Sequence, residues 1–154
     1  MNPDGIISFI ERLMNRMVLN GKLNLISTVG KFKILISENK EVFRKYFGVY
    51  LFPGSVNVKI EKPENLQQEL DKGNPPPNFI IPRTELVGMP DYIGDGQIWR
   101  CVLLCDKFIK PINCWLFRRI GSKVPKGIIE IVAEQELVKP HSLKDGDSVV
   151  IELV

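Results

Sequence analysis

From Gln97 to the last residue the chain is a succession of short runs rich in β-branched and aromatic residues, at 99–107, Ile112–Arg119, 127–133 and Ser148–Leu153. Runs of this length bounded by turn-forming residues read as strands, and Asp145-Gly146 supplies a tight turn before the last of them. The earlier half adds two more runs, 22–28 and 31–36, joined at Val29-Gly30, and another at 55–60 behind the Pro53-Gly54 turn. Many short strands with few helices close on themselves, which makes the expected architecture mainly β and a compact, closed or nearly closed barrel. The 154 residues, 44% of them hydrophobic, suffice for one domain with a real core and are too few for two.

Helical pattern enters at the start and at two brief places. Ile6, Ile7, Phe9, Ile10, Leu13, Met14, Met17 and Val18 recur every three to four residues, with Asn2 or Asp4 as N-cap and Asn20-Gly21 as the stop. This predicts a helix over about 4–19, and a division into an N-terminal helix (1–20) and a barrel domain (21–154). Its apolar stripe has two candidate partners, the barrel and a second copy of the chain in a homo-oligomer. A short amphipathic helix is expected at 39–47, stopped by Gly48, and another at 63–70. Between 73 and 96, Pro75-Pro76-Pro77, Pro82, Pro90 and four glycines exclude a regular strand except at Phe79-Ile80-Ile81. Such a segment is either a lid over a site or a surface excursion.

Several function classes drop out on composition. The net charge is only +3, and the 21 basic residues are scattered without a run, so no nucleic-acid surface is indicated. Arg118-Arg119 is the densest basic patch beside an aromatic and reads as a solvated strand end. Cys101, Cys105 and Cys114 lack CxxC spacing and read as buried thiols in a reducing compartment. Apolar positions near the start are interrupted by Glu11, Arg12, Asn15 and Arg16, so neither a signal peptide nor a membrane span is expected and the protein reads as cytoplasmic. Only one histidine, His141, is available for a Ser-His-Asp triad, and histidine metal sets usually need more than one, so triad hydrolases and histidine metal sites are disfavoured; beside Pro140 it reads as a surface loop residue.

The residues with chemical promise are few. In Pro53-Gly54-Ser55-Val56-Asn57-Val58-Lys59-Ile60 a side-chain period of two puts Ser55 and Asn57 on one face. A hydroxyl and an amide oxygen suit Mg²⁺ when nucleotide phosphates bring the negative charge; a plain turn followed by a strand is the alternative. Glu130 is the only charged side chain in 128–133, and an unpaired carboxylate buried there would be costly. It must face a polar cavity, an edge or solvent. Asp91 and Asp95 in the long segment are weaker metal candidates, since aspartates near glycine are ordinary turn formers.

Pro53-Gly54-Ser55-Val56-Asn57-Val58-Lys59 resembles the PGTLNVKL signature of the archaeal-type, CTP-dependent riboflavin kinases. Ile128-Ile129-Glu130-Ile131-Val132-Ala133, followed by Leu143-Lys144-Asp145-Gly146-Asp147, is similar to that family's IEIIAP and LKDGD segments. The resemblance implies a six-stranded Greek-key-like (cradle-loop) barrel, here with an added N-terminal helix and short peripheral helices. It also implies transfer of a phosphoryl group from CTP to the 5′-hydroxyl of riboflavin, giving FMN and CDP with Mg²⁺ as cofactor. Carried over by position, Ser55 and Asn57 hold the metal, Ser122 and Glu130 receive the flavin, and Glu130 is the candidate base. Counting back without gaps sets Ser27, Thr28, Gly30 and Lys31 on the nucleotide phosphates. Of the family's GxGEG turn only Gly30 is kept, and a hairpin at Val29-Gly30 would commit backbone donors that such a turn aims at phosphate. Glu134 and Glu136 stand where the family carries basic residues. Two functional readings follow, a kinase with an altered nucleotide grip and a non-catalytic barrel relative that binds a flavin, a nucleotide or a protein partner.

Overall fold

The computed structural model describes residues 17–25, 31–89, 93–121 and 127–154, without the side chain of Lys31. In chain order the elements are β1 (Met17–Leu23), α1 (Lys31–Glu38), α2 (Lys40–Phe47), β2 (Val56–Lys62), α3 (Leu66–Asp71), β3 (Phe79–Ile81), a 3₁₀ turn at Arg83–Glu85, β4 (Gly96–Leu104), β5 (Ile112–Arg119), β6 (Ile128–Val132) and β7 (Ser148–Leu153). All pairings are antiparallel, and the order β4-β5-β6-β2-β1-β7 closes through β7 on β4. The result is the expected six-stranded barrel. β3 lengthens it at one edge, because the first three residues of β4 pair with β3 where its later residues pair with β7.

Alternation sorts each strand into two faces. Leu19, Val58, Trp99, Leu116, Ile131 and Ile151 point inward and form the barrel core. Ile98, Phe117 and Val132 point outward, where Phe32, Leu35, Ile36, Phe43 and Phe47 of the helices cover them as a second core. An eight-residue helix is marginal alone. Burial of Phe43 and Phe47, worth roughly 2–3 kcal/mol each, holds α2 in place. Gly48 ends α2 in the left-handed region, donating its N–H to the Arg44 carbonyl at 2.8 Å, so the glycine stop read from sequence is the observed one.

Three elements differ from the sequence expectation. The run 31–36 is not a strand but the start of α1. A period of two would put Phe32, Ile34 and Ile36 on one face, whereas Phe32, Leu35 and Ile36 are buried and Ile34 is exposed, which is the helical choice. The helix expected over 4–19 lies outside the described residues as far as 16; from Met17 the chain is already β1, with Leu19 and Leu23 facing inward, so residues 17–20 belong to the barrel. The strand expected at 22–28 therefore begins earlier and ends at Leu23. Similarly β4 starts at Gly96 and stops at Leu104, with Asp106 and Lys107 in the following turn.

The described part of the 73–96 segment is a fixed strap rather than a lid. Pro75 accepts the Trp99 indole N–H at 2.9 Å, Asn78 accepts the Arg100 N–H at 2.7 Å, and Asp95 accepts the Arg83 N–H at 2.8 Å. Asp95 is thus used as a backbone acceptor; Asp91 lies outside the described residues, among which no group of three metal-ligating side chains occurs. Asn39, only 3% exposed, ties the strap to the helix pair by donating to the Leu35 and Val87 carbonyls and accepting the Val87 N–H at 2.8 Å. Asn39→Ala is expected to lower stability by about 2 kcal/mol, read from urea unfolding, because the Val87 polar groups lose their partner in a part-buried site. A change below a few tenths of a kcal/mol would mean that water replaces the amide.

Cys101 and Cys114 are buried and face each other across β4 and β5, their sulfurs 3.1 Å apart. The hydrogen bond to Cys114 and burial push the Cys101 thiol well above its ordinary value, consistent with a packed neutral thiol. Cys105 lies past the end of β4 and is half-buried. His141 lies in a turn and is half-buried, its ring packed edge-on against Phe108 at 4.7 Å with Nε2 turned inward. No described helix is long and apolar enough to cross a membrane.

Candidate active site

The outer face of the barrel wall formed by β2, β6 and β5 carries one polar row. Register sets Asn57 of β2 opposite Glu130 of β6, and Glu130 opposite Phe117 of β5. Directly opposed residues share a face with Cβ atoms roughly 5 Å apart, so the amide and the carboxylate are neighbours by construction. Ser55 stands one residue before β2 with the same parity as Asn57. Val56, Val58, Ile129 and Ile131 point the other way into the core, which is why the polar row has no choice of face.

Arg119, two residues beyond Phe117 on β5, joins the row. Its Nη2 donates to Glu130 Oε1 at 3.4 Å, with only 11% and 12% of the two side chains exposed. Its guanidinium also lies over the ring of Phe32 in α1, 5.1 Å from the centroid, and that ring packs edge-on against Phe117 at 5.0 Å. The sequence reading of Arg118-Arg119 as a solvated strand end is therefore corrected. Arg118 is bound by Gln97 and by Asp71 of α3, and Arg119 turns inward to the carboxylate. The available signal was parity, since 117 and 119 share the face on which Glu130 lies.

The row is electrostatically incomplete among the described residues. Burial pushes the Glu130 carboxyl above the ordinary glutamate value, and the charge and hydrogen bond of Arg119 offset part of that rise. Asn57 Oδ1 and Arg119 Nε are both buried without a hydrogen-bond partner there. Leaving such groups unpaired costs about 1–3 kcal/mol each. An unpartnered acceptor and an unpartnered donor on either side of a buried, arginine-paired carboxylate make this row the candidate place for a polar ligand.

The backbone brings one further segment to the same place. Asn24, just after β1, donates its N–H to the Asn57 carbonyl at 2.9 Å, and α1 returns with Phe32 beside Phe117 and Arg119. The described chain thus stands beside Asn57 at Asn24 and beside Arg119 at Phe32. Of the residues singled out from sequence, Asn57 and Glu130 are brought together by register, and Ser55 stands two residues before Asn57, just outside β2. Lys31 opens α1, while Ser27, Thr28, Gly30 and Ser122 lie outside the described residues; Ser122 follows Arg119 by three positions.

The outer barrel wall thus sets an amide oxygen, a buried carboxylate and an arginine beside the described start of α1. The family model named for the CTP-dependent riboflavin kinase domain, described as domain of unknown function DUF120, matches residues 26–153. The chain belongs to that family. Curated relatives include a riboflavin kinase of Methanospirillum hungatei, 24% identical over 89% of this chain and 58% of its own length. Others are the riboflavin kinases of Saccharolobus solfataricus, 27% identical over 86% of this chain and 72% of the relative, and of Thermococcus kodakarensis, 25% identical over 94% and 63%. The chain thus spans between 58% and 72% of the length of these relatives.

Proposed function

We propose that the chain is a riboflavin kinase, transferring the terminal phosphoryl group of CTP to the 5′-hydroxyl of riboflavin and giving FMN and CDP. The observation that carries this reading is the Asn57–Glu130 pair, an unsatisfied amide oxygen directly across the sheet from a buried carboxylate. In the reaction a bond forms between the 5′-oxygen and the terminal phosphorus while the bond from that phosphorus to the CDP oxygen breaks. The hydroxyl proton goes to Glu130, whose proton affinity burial raises above that of an ordinary glutamate. Glu130 and Ser122 are the flavin-binding residues of this scheme.

Asn57 Oδ1 fits a hard cation, because it is an oxygen donor with no competing partner among the described residues, and the Ser55 hydroxyl is of the same kind. Mg²⁺ held there would neutralise charge on the transferred group. Among the described residues no group of three metal-ligating side chains lies there, so the nucleotide itself would bring most of the charge. The phosphates are assigned to Ser27, Thr28, Gly30 and Lys31, and the helix that 31–38 forms in place of the expected strand favours this over a hairpin. A hairpin spends its N–H groups on the ladder; a helix start leaves them directed outward with the positive end of the dipole.

Formation of FMN from riboflavin with CTP and Mg²⁺, followed by chromatography of the flavins, tests the assignment. Stabilisation by riboflavin without any FMN would favour the non-catalytic relative instead; a ligand at a hundred times its Kd adds about 2.7 kcal/mol and is readily seen in a melt. Asn57→Ala is expected to raise the Mg²⁺ concentration for half-maximal turnover by at least the ~10–100-fold that loss of an outer partner costs. Its Tm should stay near that of the parent, since the amide oxygen bonds nothing described. An unchanged Mg²⁺ requirement would remove Asn57 from the metal site.

A further inference from the structure

We propose that Arg119 is a further catalytic residue, whose Nε and free guanidinium edge bind the transferred phosphoryl group while Nη2 stays on Glu130. The proposal rests on the kinase reading above and adds to it the residue that grips the terminal phosphate. Three observations carry it. The guanidinium has five N–H donors, yet among the described residues it makes one long hydrogen bond, 3.4 Å to Glu130, and its Nε is buried with no partner. A guanidinium committed only to structure would bind the carboxylate through two short parallel bonds.

Position is the second observation. Glu130 would take the proton from the attacking hydroxyl and Asn57, opposite it, would hold the metal on the phosphates, so the moving phosphorus must pass between them. A guanidinium bonded to Glu130 is within reach of that passage. The third is the support beneath it. The Phe32 ring holds the guanidinium from below at 5.1 Å, in the first turn of α1 and directly after the segment assigned to the phosphates. Arg118 cannot serve instead, being engaged by Asp71 and Gln97.

Chemically, a planar cation with N–H donors left over after its bond to Glu130 matches a phosphoryl group whose charge is spread over its equatorial oxygens. Arg119 would thus favour the triphosphate over the diphosphate, because only the triphosphate has a group at this position.

Isothermal titration of MgCTP and MgCDP into the parent, Arg119→Lys, Arg119→Met and the double variant Arg119→Met/Glu130→Gln tests this. A charge-assisted hydrogen bond to the terminal phosphate corresponds to a loss of about 10–100-fold in CTP affinity for Arg119→Met, with CDP affinity within about threefold of the parent. Arg119→Lys should recover part of the CTP preference, and kcat should fall in Arg119→Met with little change in the KM for riboflavin. The double variant strands no charge in the wall, so it decides the matter if Arg119→Met does not fold. Equal loss of CTP and CDP, or no loss of either, would show that Arg119 merely holds Glu130, and would overturn the proposal while leaving the kinase reading in place. A parent that binds neither nucleotide would remove both.

Discussion

Glu130→Gln is expected to slow FMN formation by about 10²–10⁴-fold, the range that general-base groups contribute. The amide keeps the shape of the carboxylate and its carbonyl oxygen can still accept from Arg119 Nη2, so the wall around β5 and β6 should be preserved. What it loses is the ability to take the proton from the 5′-hydroxyl. Single-turnover measurement with saturating CTP and Mg²⁺ isolates that step from product release. Retention of turnover within about threefold would mean that Glu130 only positions the flavin.

The same residue sets a pH dependence with a definite sign. Burial raises its pKa in the folded chain, so the base form accumulates only above the ordinary glutamate range, and the acid limb of kcat/KM should lie correspondingly high. That limb should vanish in Glu130→Gln. For stability the direction is opposite, because the folded chain holds this proton more tightly than the unfolded one. The contribution is fully present below the unfolded pKa and is lost as pH rises through the raised folded value. Urea midpoints of parent and variant across this window should therefore diverge as pH rises, with the parent losing stability relative to Glu130→Gln.

The strands of the second half were legible because each has one buried face, and alternation is then compulsory. β5 and β7 fall on the expected residues, and the Gly48 stop on the expected turn. The misreadings share a different cause. Residues 31–36 contain apolar side chains at both two- and four-residue spacing, so the local pattern could not choose between strand and helix; the choice was made by Phe117 on the far strand, against which Phe32 packs. At Met17–Leu19 an apparent helical stripe runs directly into an alternating strand, and the switch of period carries no marker residue. In the candidate site, the shared face of Asn57 and Glu130 was legible because parity assigns a face. Arg119 could not be valued from sequence, since its role depends on the register that sets Phe117 against Glu130.

Phe117→Ala should cost about 3–5 kcal/mol, the usual penalty for emptying a buried phenylalanine site. The ring is 1% exposed and lies 5.0, 5.7 and 6.4 Å from Phe32, Phe43 and Phe47, so its removal opens a cavity beneath both helices at once. β4 is fitted to the same ring: a Cβ on Gly96 would come within 3.0 Å of Phe117 Cζ, which leaves glycine as the residue that lets the strands pair there. The variant should also separate packing from function. Phe32 stands on Phe117 and carries Arg119, so loss of the ring loosens the helix end of the 26–30 segment, and the KM for CTP should rise more than the KM for riboflavin. Leu116→Ala is the matched control, for Leu116 is equally buried but faces the barrel interior. It should lose comparable stability, roughly 2–5 kcal/mol, with the two KM values moving together. If the control shifts the CTP KM as selectively as Phe117→Ala does, the nucleotide end of the site is supported by the whole barrel and not by the Phe32–Phe117 contact.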